Sequence, residues 1–409
     1  MQRLNKIVSS QRTYWVLLSA LLISLPLPYG FSTGILIVLL AVSLFSARYN
    51  KISFQKEYLI PVLIYLLLVL SLLWTGSIEN SLRGLERQLA LVLIPLAFLL
   101  MPAISRDTRD NILYTFAVGL ALFGIFFIGI AFIDYQESAN INRFFYHSLV
   151  SPLELNAIYL SVMVSLSGLF LLFSKSKSLL TILLLLIHGI FLILLSSKVI
   201  IIITALVAAF GIIRTFRRSR ILVLLPVLIL ALVLLMFTSN PVRERFEREL
   251  TVSDIKEVME CERFDKVYDW TGTTIRLFQA RIFVEMFNED SAYLTGYGIN
   301  NSKEKIIEKQ KQYNLWQGYY EYNFHNQYIQ VFAEVGIFGF IFLLIWLGWI
   351  FREYLRTRDI LFLSLFLVIL VVFMTESYIW RQRGLYHFLV VFCLLFKTSA
   401  FQAKSGRDT

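Results

Sequence analysis

The sequence predicts an all-α polytopic membrane protein with about twelve transmembrane helices. Three observations carry that prediction. The 409 residues are 57% hydrophobic and only 16% charged, outside the profile of soluble globular chains. Apolar runs recur along the chain, each near the roughly 20 residues a helix needs to cross hydrocarbon. Segments of alternating polarity, the mark of barrel strands, do not appear, so helices are left to satisfy the backbone in lipid.

The runs fall at 14–29, 30–47, 57–74, 85–101, 111–133, 152–174, 178–196, 198–214, 220–238, 327–351, 357–375 and 382–398. The first follows Arg3, Lys6 and Arg12 in the manner of a signal peptide, but no small-x-small cleavage site follows, so it reads as a retained helix. An uncharged turn, Leu25 to Gly30, leads to the second. Trp74 to Leu89 carries Glu79, Arg83, Glu86 and Arg87 at helical spacing. It reads as an amphipathic surface segment in which Arg83 or Arg87 meets an anionic headgroup. After the polar loop of Arg143 and His147, Asn156 sits one turn inside the next span, placed to bond a neighbouring helix. His188 lies mid-span among aliphatic residues, where a lone histidine is a functional candidate by default or else a bridge to a carbonyl, and it is left out of the site. Ser196-Ser197-Lys198 parts two spans with almost no loop. A lysine there must reach water or an anion, because unpaired burial is costly.

Orientation follows from the basic residues. Arg3, Lys6, Arg12, Arg48, Lys51, Lys56, Arg106, Arg109, Lys175, Lys177, Arg214 to Arg220, Arg352 to Arg358, Lys397, Lys404 and Arg407 all fall on one side. By the positive-inside rule both termini are cytoplasmic. The net charge of +10 is mostly this signal, so no nucleic-acid partner is inferred; the surrounding lipid is the partner. The two cysteines, Cys261 in a loop and Cys393 in the last span, make no disulfide framework.

These spans divide the chain into helices at 1–238, a polar segment at 239–326, and helices with a tail at 327–409. The middle segment is too long for an ordinary connection and reads as a small helical cap. Its helices are expected over 241–250 and 273–287, with a third capped by Ser302. Gly296 and Gly298 then form a turn, aromatics crowd 313–324, and His325 precedes the next apolar helix. Asn326, Gln327, Gln330 and Glu334 share one side of that helix, and Gly336 and Gly339 mark a close helix approach. An imidazole at the boundary, beside an amide stripe and behind a Gly-rich turn, looks like a site. In the last loop Glu376 and Arg381 are spaced to pair, and His387 reads as structural.

His325, Arg276, Arg281, Lys198, Arg87 and Arg381 thus gather several cations and one imidazole at one boundary. Guanidinium and ammonium groups favour a diphosphate, and a neutral imidazole takes a proton from an attacking hydroxyl. The sequence shows no P-loop, GxSxG elbow, DxD or metal cluster, so a lipid-linked donor is preferred over a nucleotide sugar and no cofactor is expected. A transporter or flippase would need ionisable residues buried mid-span and matched halves, which are largely missing.

One stretch resembles the O-antigen ligase-like family, which carries a GxG turn and then an HNxxxxxxxExGxxG run. Here these are Gly296-Tyr297-Gly298, then His325-Asn326 through Glu334, Gly336 and Gly339. TTIRLFQAR offers Arg276 where the family places an arginine, although Ala280 stands where a tryptophan is usual; Lys198 stands where Ser-Arg is common. The resemblance spans roughly 190–340. It implies a GT-C-like glycosyltransferase in the bacterial inner membrane, a periplasmic site, and metal-independent, inverting transfer from undecaprenyl diphosphate to lipid A–core. It also implies catalytic roles for His325 and Arg276 and substrate contacts for Lys198, joined on the reading above by Arg281, Asn326 and Arg87. O-antigen polymerases and protein O-oligosaccharyltransferases share the donor and stay open as alternatives.

Overall fold

The computed structural model describes residues 8–405 except 51, 53, 177, 238, 239 and 253. Arg3, Lys6, Lys51, Lys177 and Arg407, and the span end at 238, lie outside the described residues. Helices α1 (Gln11–Ile23), α2 (Tyr29–Ala47), α3 (Leu59–Leu70), α4 (Ile78–Gln88), α5 (Ala90–Leu100) and α6 (Arg106–Ser138) build the first half of the bundle. The short α7 (Tyr146–Val150) precedes α8 (Ala157–Phe173), α9 (Leu179–Leu194), α10 (Lys198–Thr215) and α11 (Arg218–Phe237). The polar segment folds as α12 (Pro241–Val252), α13 (Ile255–Glu260), α14 (Gly272–Asp290) and α15 (Ser302–Gln312); α16 (Gln327–Thr357), α17 (Ile360–Thr375) and α18 (Gln382–Ser405) close the chain. Five helices are long and apolar enough to cross a membrane among the described residues, six if the bent pair Tyr146–Leu153 and Ala157–Phe173 is one span. The protein is all-helical there and polytopic.

The final helix is the bundle's centre. From Gly384 to Ser399 α18 is buried on every face, as expected of a helix apolar all round. Lys397, counted from sequence among the cytoplasmic basic residues at the end of the last span, lies inside it, and its ammonium donates to Phe98 O at 2.7 Å and to Met101 O, just beyond the end of α5, at 3.0 Å. Those orphan carbonyls are what a helix end offers a cation. At the same end of the bundle Arg109 is buried against Asp359 at 2.9 Å, tying α6 to the start of α17.

The polar segment has its own core. Val258, Phe264, Phe278, Ile282, Met286 and Phe324 pack separately from the bundle's interior. Arg281 is spent here. Its guanidinium donates to Val258 O, Cys261 O and the Tyr313 hydroxyl at 2.8–2.9 Å and pairs with Glu285. Both cysteines are free.

Gly336 marks a break in α16, where the sequence suggested a helix–helix approach. Val335 and Gly336 leave helical geometry, Gly336 at φ +66° and ψ −160°, a region open essentially to glycine alone. The break strands backbone groups that lipid could not satisfy, and the turn around Gly296 and Gly298 takes them up. Ala333 O accepts from Tyr297 N at 2.8 Å, Glu334 O from Gly298 N at 2.9 Å, and Ile337 N donates to Tyr293 O at 3.0 Å. Backbone meets backbone, so side chains have no room: a Cβ on Gly336 would stand 2.1 Å from Leu294 O, and one on Gly296 2.6 Å from Glu334 C.

The inner end of the amide stripe, Gln330 and Glu334, serves the same joint, whereas Gln327 reaches the segment after α17. Glu334 accepts from Ser302 Oγ, Gln330 Nε2 and Asn300 N, while Gln327 Oε1 accepts from Ile379 N at 2.9 Å. Ser302 therefore does not cap α15; it is the first helical residue and its hydroxyl leaves toward Glu334. Behind the turn, α4 presents Ser81, Gly84, Leu85 and Gln88, and Ser81 Oγ donates to Ile299 O at 3.0 Å. The amphipathic segment is a buttress. Gly336→Ala is expected to cost at least about 3 kcal/mol, the sum of strain and overpacking. Gly348→Ala, in the same helix with nothing within 4 Å, is the control; equal melting of the two variants in detergent would refute this account of the joint.

Candidate functional site

A cavity of roughly 710 Å³ opens where the polar segment meets the bundle. Its wall is built by helix ends, which hold functional side chains in place. Thr271 and Thr274 form a reciprocal capping box that starts α14 and sets Arg276 in its second turn. Asn326 starts α16, its Oδ1 accepting from Ile329 N at 3.1 Å, with His325 immediately before it at φ +46°. The last turn of α17 ends at Thr375, so Glu376 lies just past a helix C-terminus.

These three ends converge on one carboxylate. Glu376 is 3% exposed, and each oxygen has its own partner: Oε1 accepts from Arg276 Nη2 at 2.9 Å, and Oε2 faces His325 Nδ1 at 3.3 Å. Arg276 also donates through Nε to Thr375 O at 2.6 Å and through Nη1 to Gly272 O at 2.7 Å. Burial alone would raise the Glu376 carboxyl, but His325 and Arg276 outweigh it and hold the carboxyl below its ordinary value. His325 Nε2 is shielded from solvent and has no hydrogen-bond partner among the described residues. A buried nitrogen left unsatisfied costs about 1–3 kcal/mol, so it asks for an explanation.

The expected pairing of Glu376 with Arg381 does not form; the carboxylate turns inward to Arg276 because both its oxygens are better satisfied there. Arg381 lines the cavity instead, and among the described residues it pairs with no carboxylate. Arg245 is the second such cation, stacked 3.4 Å from the centre of the Tyr146 ring. Lys198 also faces the cavity but is engaged, donating to Arg245 O at 3.2 Å and to Glu249, whose other oxygen takes Thr273 N at the start of α14. Burial opposes the Glu249 charge, yet Lys198 and Thr273 prevail and lower its carboxyl.

His325, Arg276 and Lys198 are thus brought together, whereas Arg281 lies inside the polar segment. Arg87 sits exposed on α4 and lines no cavity described here, and Asn326 is a helix cap whose amide reaches Met374 O at 3.3 Å. Asn156, expected to bond a neighbouring helix, also caps its own, accepting from Ile158 N at 2.8 Å, and lines the cavity. His188 bonds Leu184 O at 2.8 Å and His387 the Tyr378 hydroxyl at 2.9 Å, both away from this cavity. Of the aromatic stretch, Tyr319 and Tyr322 line the wall with Trp270, and Tyr322 packs edge-on to the His325 ring at 5.1 Å.

Residues 180–344 match the family model described as O-antigen ligase, and no curated protein matches the chain. The matched segment holds Lys198, Arg276, the glycine turn and His325; it stops short of Glu376 and Arg381. The match supports an O-antigen ligase-like family, whose members transfer glycosyl groups.

Proposed function

From a chain whose residues 180–344 are O-antigen ligase-like, we propose an O-antigen ligase that moves a glycan from undecaprenyl diphosphate to lipid A–core at the periplasmic face of the inner membrane. The fold on this reading is a GT-C-like bundle of twelve crossings, with both termini cytoplasmic and residues 239–326 as a periplasmic cap. One observation carries the proposal: Arg276, Glu376 and His325 are joined through a single buried carboxylate on the wall of a cation-rich cavity.

The chemistry follows from that chain of contacts. Glu376 accepts the Nδ1 proton of His325, which leaves the lone pair on Nε2. Nε2 takes the proton of the acceptor hydroxyl as its oxygen bonds to the anomeric carbon. On the far face the bond from that carbon to the phosphate oxygen breaks, and the electron pair leaves with the diphosphate. Configuration inverts. Arg276 and Lys198 face the leaving group together with Arg245 and Arg381, whose guanidinium groups pair with no carboxylate among the described residues. Cations already in place stabilise the developing charge without reorganisation.

The test is reconstitution of the full chain with undecaprenyl-diphosphate glycan, offering lipid A–core, a second lipid-linked repeat and a peptide side by side. Transfer to lipid A–core alone supports the proposal; transfer only to either of the others replaces it with a polymerase or protein-glycosylating reading. Within that assay Arg245→Ala is expected to raise the donor KM by roughly 10- to 100-fold, the worth of one hydrogen bond to a charged group. An unchanged donor KM would remove Arg245 from the diphosphate site.

A further inference from the structure

A second cavity of roughly 240 Å³ lies against the first. The two share Asn156, Asn323, His325, Glu376 and Arg381, so the imidazole stands in their common wall. Beyond that wall they differ in origin and in charge. The larger takes Lys198, Arg245, Arg248 and Arg276 from α10, α12 and α14, four cations against the two carboxylates of Glu249 and Glu321. The smaller is closed by Tyr29, Glu154, Tyr159 and Arg383, from α2, the bend before α8, α8 itself and α18.

We propose that the smaller cavity is the acceptor subsite, a seat for one hydroxyl-bearing sugar unit presented to His325; this rests on the transferase reading above. Inverting displacement needs the attacking oxygen and the leaving diphosphate on different sides of the reacting carbon, and a base in the wall between two cavities meets that need. Charge assigns which cavity is which. Arg383, the smaller cavity's own cation, is consumed by Leu25 O at 3.0 Å, by Leu27 O, and by the Tyr29 ring 4.5 Å away.

Glu154 remains. Its backbone sits at φ +50° in the 94° bend between α7 and α8. Its carboxylate has no hydrogen-bond or ion-pair partner among the described residues. A free carboxylate repels a diphosphate and accepts hydroxyl hydrogens, the discrimination an acceptor subsite requires. Size agrees: at 240 Å³ the cavity falls below the roughly 300–1,000 Å³ of drug-sized sites, room for a single ring rather than an oligosaccharide. The acceptor oxygen bonds to the anomeric carbon, its proton passes to His325 Nε2, and the broken bond's electrons leave with the diphosphate on the other side.

The experiment measures both KM values of the full-length protein in nanodiscs, with an undecaprenyl-diphosphate trisaccharide as donor and lipid A–core as acceptor. Glu154→Gln is expected to raise the acceptor KM about tenfold, the loss of one charged hydrogen bond, with the donor KM within about twofold of the parent. Binding of lipid A–core without donor weakens in step, and release of the trisaccharide to water, which needs no acceptor, is the same in both proteins. An unchanged acceptor KM, or a donor KM that rises instead, overturns the assignment. Should the parent protein show no transfer from the lipid diphosphate to any acceptor, the transferase reading itself fails and this subsite falls with it.

Discussion

Replacing His325 is expected to lower glycan transfer by about 10²–10⁴-fold, the range spanned by removing a positioned general base. The choice of substitute matters because His325 holds φ +46°. Alanine suits that left-handed backbone less well than histidine does, so a loss of stability would mix with any catalytic loss. Asparagine tolerates that conformation and carries no base, so His325→Asn isolates the chemistry. The diagnostic measurement is single-turnover transfer with donor prebound, paired with a donor-binding assay. On the proposed mechanism, kcat collapses while donor affinity stays near the parent's, because the diphosphate is held by the guanidinium groups and not by the imidazole. Parent-rate transfer by His325→Asn would end the base assignment. A variant that fails instead in donor binding would show that the imidazole is structural.

His325 and the glycine turn were legible in the sequence because residue type and place both spoke: one imidazole at the start of an apolar helix, two glycines where φ is +67° and +85°. That the chain is helical and polytopic was legible for the same kind of reason, since apolar runs in lipid leave few alternatives. What the residues bond to was not. Gln330 and Glu334 sit on one helix face as read, but that face turns toward the glycine turn and satisfies the broken helix, a demand visible only once Gly336 is seen to interrupt α16. Arg281 matches Arg276 in chemistry and lies five residues on, yet Arg276 meets Glu376 and Arg281 the carbonyls of the polar segment. Glu376, 51 residues beyond His325, had no local signal; its nearest cation in sequence suggested a surface pair. Arg245 was hidden among the alternating charges of α12 and stands out because Arg248 and Glu249 are paired, whereas it pairs with no carboxylate among the described residues.

Replacing Glu376 is expected to reach further than replacing either of its partners. The carboxylate is nearly fully buried and is shared, so Glu376→Gln strips the ion-pair partner from Arg276 and the proton acceptor from His325 in one change. Removing one member of a buried pair costs roughly 3–5 kcal/mol, and Arg276, with 27% of its side chain exposed, keeps enough water to place the loss at the low end. Transfer is expected to fall by more than 10²-fold, because Nδ1 loses the group that fixes the tautomer and the guanidinium loses its anchor. Acid supplies the signature that separates this from general damage. The folded Glu376 carboxyl lies below its unfolded value, so its contribution is present above the unfolded value and disappears as pH falls through the folded one. The parent protein therefore loses stability over that acid interval, and Glu376→Gln, already lacking the charge, changes less across it. Thermal melting of both proteins against pH measures the difference directly. Parallel acid limbs would mean that Glu376 is not held ionised by His325 and Arg276, and the shared carboxylate would lose its place in the mechanism.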